Sequence, residues 1–137
     1  MRNDIVVPKV ENIAVAVVQE LNEEKTTNIY NVYFINLTEN VVENVLVTSR
    51  GYGENKATGE KIKTSVLRHN IGVLRPDSFT KIEPIMEDVF IINNEYWVSF
   101  FIENKMFDKK FIFLAETIKE SNFTDIPVIN KRGVLIK

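Results

Sequence analysis

The sequence predicts an all-β fold, an antiparallel β-sandwich of about seven strands formed by one domain, residues 1–137. First, β-branched and aromatic residues recur in short runs separated by clusters of Asn, Asp, Glu, Gly and Pro. Second, these turn signals return about every 8–15 residues with no long amphipathic helix between them, which favours a sandwich over a parallel α/β sheet. Third, a chain of 137 residues suits a single hydrophobic core.

Seven segments carry the strand signal. The second segment is apolar on both faces, which is typical of a central strand, and the third shows the alternation expected of a half-buried strand. The Pro76–Asp77 pair predicts the turn before the fifth segment. The segments are residues 12–19, 29–37, 42–49, 62–71, 79–85, 95–103 and 106–114.

The last two segments form the clearest hairpin, because a short turn containing Asn104 joins two aromatic strands. Alternation places one set of side chains on a single face, where cross-strand pairs can form. We expect this face to be the centre of the core. Its members are Tyr96, Val98, Phe100, Ile102, Phe107, Phe111 and Phe113.

The remaining segments are less regular. Residues 86–94 predict a bend or a helical turn, and residues 116–122 predict a short helical turn near the C-terminus. The apolar triplet Val134, Leu135 and Ile136 either docks as an edge strand on its own sheet, which we favour, or adds to a partner's exposed edge. An immunoglobulin-like sandwich is the preferred architecture, and a barrel is the alternative.

Composition limits the classes of protein. Apolar residues make up 45% and charged residues 26% of the chain, which is neither a disordered nor a membrane-protein composition. Cysteine is absent, so disulfides, thiol nucleophiles and thiolate metal sites are excluded. Asp4 and Pro8 come before any apolar stretch of signal-peptide length, and no run is long enough to span a bilayer. We expect a cytoplasmic protein.

Residues 48–65 contain three glycines and four basic residues and therefore invite comparison with a phosphate-binding loop. The spacing does not fit, because five residues separate Gly53 from Gly59, and Glu60 stands before Lys61. The following residues also continue as a strand rather than a helix. We expect a long hairpin loop, with positive backbone angles at Gly51 and Gly53 and a turn at Gly59.

No catalytic, cofactor-binding or metal-binding residue can be assigned. His69 is the only histidine, and the carboxylates near it in sequence are too dispersed to predict a metal site. No nucleophile pattern accompanies it. We expect a protein that is not an enzyme and that has no cofactor; a pocket that groups His69 with a carboxylate would favour the opposite.

One stretch is distinctly basic. Residues 50–81 carry seven basic and three acidic residues, a net charge of +4 in a chain whose total is −2. Such a stretch is usually a solvated strand face, but it can also attract an anionic partner. The candidate contacts for such a partner are Arg50, Lys61, Lys63, Arg68, His69 and Arg75.

Five stretches resemble a group of small bacterial proteins of unassigned function, some of which carry the name phenylalanyl-tRNA synthetase alpha subunit. They are VPKVEN (residues 7–12), NVYFIN (31–36), VLVTSRGY (45–52), TSVLRH (64–69) and KRGVLIK (131–137). The resemblance implies no chemistry, because this chain lacks the glycine-rich, arginine-ended motif of a synthetase catalytic domain. The strand order is also similar to that of bacterial immunoglobulin-like modules.

The expected function is therefore that of a non-enzymatic protein-interaction or structural module. Its partner is a different protein, or a second copy joined through edge strands or an aromatic face. The alternative is an RNA- or tRNA-associated binding module that uses the basic stretch of residues 50–81.

Overall fold

Residues 11–137 are described by the computed structural model, in which two antiparallel sheets pack face to face as a β-sandwich. The predicted all-β sandwich is thus confirmed. Positions 1–10 lie outside the described residues; they include most of the first stretch of the resemblance, and Asp4 and Pro8.

The described chain forms ten strands rather than about seven. Residues 62–71 contribute to two strands instead of one, because the chain leaves the sheet at Thr64–Val66, and the C-terminal segment supplies two more. The strands are β1 (Ile13–Leu21), β2 (Asn28–Asn36), β3 (Val42–Glu54), β4 (Lys61–Lys63), β5 (Leu67–Leu74), β6 (Ser78–Ile85), β7 (Asn93–Ile102), β8 (Lys105–Phe113), β9 (Thr124–Ile126) and β10 (Lys131–Ile136).

Sheet A has the strand order β6-β2-β1-β10-β9, and sheet B has the order β4-β3-β7-β8. Strand β5 also pairs with β3, along residues 42–49, whereas β4 pairs with residues 52–54 at the far end of β3. Strands β4 and β5 therefore share one edge of sheet B, on the side of β3 opposite β7.

The core lies between the inner faces of the two sheets. The predicted aromatic face is confirmed: Tyr96, Val98, Phe100, Phe111 and Phe113 are buried, while Ile102 and Phe107 are partly buried against them. The rings of Phe100 and Phe107 stack at a centroid distance of 5.7 Å. Each fully buried side chain of this size stabilises the fold by about 1.5–3 kcal/mol relative to an exposed one.

The C-terminal segment docks on its own sheet, as favoured from the sequence. It is not an edge strand, because β10 lies between β1 and β9 and pairs with both. Gly133 permits this approach, since a Cβ atom there would overlap the backbone carbonyl of Val17.

Two glycines of the hairpin predicted for residues 48–65 differ from the prediction. Gly51 and Gly53 lie inside β3, and positive φ angles occur instead at Gly59 (72°) and Gly72 (87°). A Cβ on Gly53 would lie 2.7 Å from Cγ2 of Ile92, so the missing side chains make room for this buried isoleucine. The turn at Gly59 is confirmed, and the segment is a hairpin as expected.

Short 3-10 turns occupy Glu87–Val89 and Glu120–Asn122, within the two segments for which helical turns were predicted. Over residues 11–137, no helix has the length and apolar character needed to cross a membrane.

Candidate functional site

The outer face of sheet B gathers basic and exposed apolar side chains. Alternation along each strand and the pairing register place these residues on one face, because residues directly opposite each other in a sheet share a side. We call this surface the Trp97 face. It comprises Leu46, Thr48, Arg50, Tyr52 and Glu54 of β3, Lys61 and Lys63 of β4, Arg68 and Asn70 of β5, Asn93, Glu95, Trp97, Ser99 and Phe101 of β7, and Met106, Asp108, Lys110 and Ile112 of β8.

Trp97 lies at the middle of this face. Its neighbours across the strands are Thr48 on β3 and Lys110 on β8, and Arg68 lies beyond Thr48 in the same row. The indole is 45% exposed, and Nζ of Lys110 lies 4.7 Å from the ring centroid. With Leu46 and Met106, the indole helps to line a shallow groove of about 510 Å³. An exposed Trp in such a groove is a typical anchor for a binding partner.

The basic side chains on this face differ in whether they form ion pairs within the chain. Arg50 forms an ion pair with Glu95, with Nε and Oε2 3.0 Å apart, and its guanidinium lies 5.4 Å from the Tyr52 ring centroid. No hydrogen bond or ion pair joins the side chains of Lys61, Lys63 or Arg68 to any residue in the part of the chain that the structure describes. Their charges are available to an anionic partner.

The structure brings together four of the six residues predicted to contact such a partner. Arg50, Lys61, Lys63 and Arg68 share the Trp97 face. His69 turns inward toward sheet A, and Arg75 lies in the turn between β5 and β6.

Sequence reasoning did not select Trp97, Met106 or Lys110 as contacts. The signal was present, since placing Tyr96 and Val98 inward also places Trp97 outward.

A second polar cluster crosses from one sheet to the other. Glu83 lies on β6 of sheet A, and its carboxylate reaches three side chains of sheet B. Oε1 accepts a hydrogen bond from Ser49 Oγ at 2.7 Å and lies 2.6 Å from His69 Nε2, and Oε2 accepts one from the Tyr96 hydroxyl at 3.1 Å. Burial, together with the adjacent Glu83 carboxylate, raises the pKa of Tyr96 well above its ordinary value, so the phenol stays a donor.

This cluster groups His69 with a carboxylate, but its geometry does not activate a nucleophile. The Ser49 hydroxyl donates its hydrogen bond to Glu83 Oε1 and not to His69. The two side chains therefore do not form the serine–histidine pair that nucleophilic attack requires. Over residues 11–137, no group of three or more His, Asp and Glu side chains could hold a metal ion. The cluster ties the sheets together at their β5 and β6 edges.

No protein-family model, curated protein or solved structure matches this chain. The resemblance to small bacterial proteins thus stays a prediction.

Proposed function

We propose that this chain is a non-enzymatic protein-interaction module and that the Trp97 face is its binding surface. The observation that carries the proposal is the 45% exposure of Trp97 in the middle of a sheet. Aromatic side chains that serve only packing are buried on the opposite face of the same sheet, as Phe100 and Phe111 are. An exposed indole beside Arg and Met side chains has the composition of an interface core.

The partner that fits this surface is a protein segment with an apolar or aromatic side chain flanked by acidic residues. The apolar side chain would occupy the groove beside Trp97, Leu46 and Met106. The acidic residues would meet Arg68 and Lys110, which flank the indole in the same row. Such charge complementarity mainly sets the association rate and the choice of partner.

The strand order supports an immunoglobulin-like topology for the module. Strands β1, β2 and β6 form one sheet, and β5, β3, β7 and β8 form the other. This is the order of the A, B and E strands facing the C′, C, F and G strands of immunoglobulin-like domains. The β9–β10 hairpin is then an addition beside the first strand, which leaves the Trp97 face uncovered.

Selection from a random peptide library tests the proposal. The wild-type chain is the bait, and a Trp97→Ala variant removes peptides that bind elsewhere. We expect enrichment of sequences that combine Asp or Glu with an aromatic or leucine side chain, and Arg68→Glu should abolish their binding. Peptides that bind both baits equally, or that are basic, would contradict the proposal.

RNA is the second candidate partner, because the exposed ring of Trp97 and the partly buried ring of Tyr52 share a face with Arg50, Lys61 and Lys63. Aromatic rings interleaved with cations on a sheet are the requirement for stacking on single-stranded bases. Titration with a single-stranded oligouridine at low and moderate salt discriminates between the partners, because phosphate contacts make the affinity fall steeply with salt. Tight, salt-sensitive binding that requires Trp97 would favour RNA over an acidic protein segment.

Self-association is measured on the same samples by light scattering. If the wild-type chain is a dimer and Trp97→Ala is a monomer, the Trp97 face is still the interface, but its partner is a second copy of the chain.

A further inference from the structure

A cavity that has Arg50 in common with the Trp97 face opens near the Glu83 cluster. Its volume is about 350 Å³, within the range of small-molecule sites. Ser49, Glu83, Asn94 and Tyr96 provide a polar lining, and Leu67 and Ile85 belong to its apolar lining. Residues 64–66 lie between β4 and β5, and Thr64 still bonds Gly51 of β3, so the edge of sheet B is interrupted here at Ser65 and Val66.

Two oxygens of the polar lining have acceptor positions that no described residue fills. Glu83 Oε1 is already engaged by Ser49 and His69, whereas Oε2 accepts only the Tyr96 hydroxyl. A carboxylate oxygen accepts two hydrogen bonds, so one acceptor position remains on Oε2.

Asn94 provides a second acceptor. It is only 6% exposed, and its Nδ2 donates to the backbone carbonyls of Val89 and Ile92. Its Oδ1 accepts no hydrogen bond from any residue over 11–137. Among the described residues every fully buried side-chain nitrogen or oxygen has a hydrogen-bond partner, so this unpaired oxygen is not fully buried. Asn94 lines the cavity, where Oδ1 can accept a hydrogen bond from a ligand or from solvent.

The charges lining the cavity also favour a donor that carries positive charge. The carboxylates of Glu83 and Asp88 line it, and Arg50, the one cation of the lining among residues 11–137, is already bonded to Glu95. An alkylammonium ion offers three N–H donors and one positive charge. Its alkyl chain would be accommodated by the apolar side chains of Leu67 and Ile85.

We propose that this cavity binds a small primary ammonium ion, which donates hydrogen bonds to Glu83 Oε2 and Asn94 Oδ1. The ion is either a free alkylamine or the side chain of an exposed lysine on another molecule. Neither of these two acceptors belongs to the Trp97 face.

The test is an NMR titration of the full chain with n-butylammonium, with n-butanol and butyrate as neutral and anionic controls of similar size. We expect butylammonium to shift the backbone amide signals of Ser49, Thr64 and Asn94 and to saturate, while butanol binds more weakly and butyrate leaves them unchanged. Equal shifts from butylammonium and butanol, or no shifts at these residues, would overturn the proposal. A lysine-containing tripeptide amide, added separately, distinguishes a side-chain source from a free amine.

Two variants test which carboxylate contributes to butylammonium binding. Glu83→Gln should weaken butylammonium binding at least about tenfold, because it removes a charged acceptor. Asp88→Asn changes an exposed residue, which keeps the test valid if Glu83→Gln does not fold, and should weaken binding about two- to threefold. Asp125→Asn, a similar change on β9 outside the cavity lining, should have no effect. Equal losses from Asp88→Asn and Asp125→Asn would also contradict the proposal.

Discussion

Glu83 Oε1 lies 2.6 Å from His69 Nε2, and this contact joins β6 at the edge of sheet A to β5 at the edge of sheet B. The two side chains are largely covered, with 14% of Glu83 and 26% of His69 exposed. Ser49 and Tyr96 complete the coordination of the carboxylate from deeper positions of sheet B. A buried carboxylate of this kind is tolerated because its oxygens are hydrogen-bonded.

Tyr96→Phe tests how much the hydrogen bond from Tyr96 to Glu83 stabilises the fold. The substitution keeps the ring in the core but removes the hydroxyl that donates to Glu83 Oε2. We expect the free energy of unfolding to fall by about 1–3 kcal/mol, the usual range for a hydrogen bond to a charged group that is left desolvated. Urea denaturation measures the loss. Tyr52→Phe removes from the same sheet a hydroxyl with no hydrogen-bond partner among the described residues and should change stability by less than about 0.5 kcal/mol. Equal effects of the two variants would contradict the interpretation.

Trp97→Ala should separate binding from folding. The indole is 45% exposed and contacts the Lys110 ammonium, so we expect a loss of only about 1 kcal/mol in the free energy of unfolding. Phe100→Ala, on the opposite face of β7, should cost about 3–5 kcal/mol because it leaves a cavity in the core. Thermal and urea unfolding of both variants measure the contrast. A Trp97→Ala variant as unstable as Phe100→Ala would mean that the indole supports the fold rather than a partner.

The contrast between Trp97 and Phe100 also shows which features of the fold can be predicted from the sequence alone. Period-two alternation in the aromatic hairpin predicts correctly which side chains enter the core. It does not tell whether the outward side chain is covered by another element. That depends on sheet order, and here no described strand covers Trp97.

Contacts between distant strands were beyond sequence reasoning for a different reason. His69 and Glu83 lie 14 residues apart on different sheets, and Ser49 and Glu83 lie 34 apart. Neither separation matches the periodicity of a strand or a helix, so only the tertiary arrangement brings these groups together. Gly51 and Gly53 were misinterpreted for a related reason: glycine in a turn and glycine making room for Ile92 have the same appearance in a sequence.

The lowered pKa of Glu20 leads us to expect that the protein is less stable in acid. Burial alone would raise the pKa of Glu20, but hydrogen bonds from Lys131, Tyr33 and Asn31 outweigh burial and hold it below the ordinary value of 4.5. Because the folded-state pKa is the lower one, the stabilisation is fully present above the unfolded value and is lost as the pH falls through the folded value. The free energy of unfolding should therefore decrease below about pH 4.5.

Glu20→Gln should make that decrease shallower, since the variant has no proton to take up at this site. Glu24→Gln, a matched change in the exposed turn between β1 and β2, should leave the pH profile unchanged. Urea titrations at a series of pH values provide the measurement, and identical profiles for wild type and Glu20→Gln would contradict the expected linkage.

Gly133→Ala should be severely destabilising even though the residue lies in an ordinary strand. A Cβ there would overlap the carbonyl of Val17, so β10 would have to move away from β1. We expect a loss of at least about 2 kcal/mol, the range for overpacked cores. Gly59→Ala has open space but a φ of 72°, and should cost only about 1–2 kcal/mol through backbone strain. The reverse order of the two losses in urea denaturation would show that β10 is not held tightly against β1.

Truncation after Asn130 tests whether β10 protects the sheet to which it belongs. The deletion removes the strand between β1 and β9, so the backbone groups of β1 along residues 15–18 lose their partners. An apolar strand with an unpaired edge is a template for association with other chains. We expect the truncated chain to be less stable than the full chain and to form oligomers or aggregates, as measured by light scattering at increasing concentration. Deleting Lys137 alone, which lies outside β10, should leave both properties unchanged. A truncated chain with the stability and size of the full chain would mean that the β1 edge needs no covering strand.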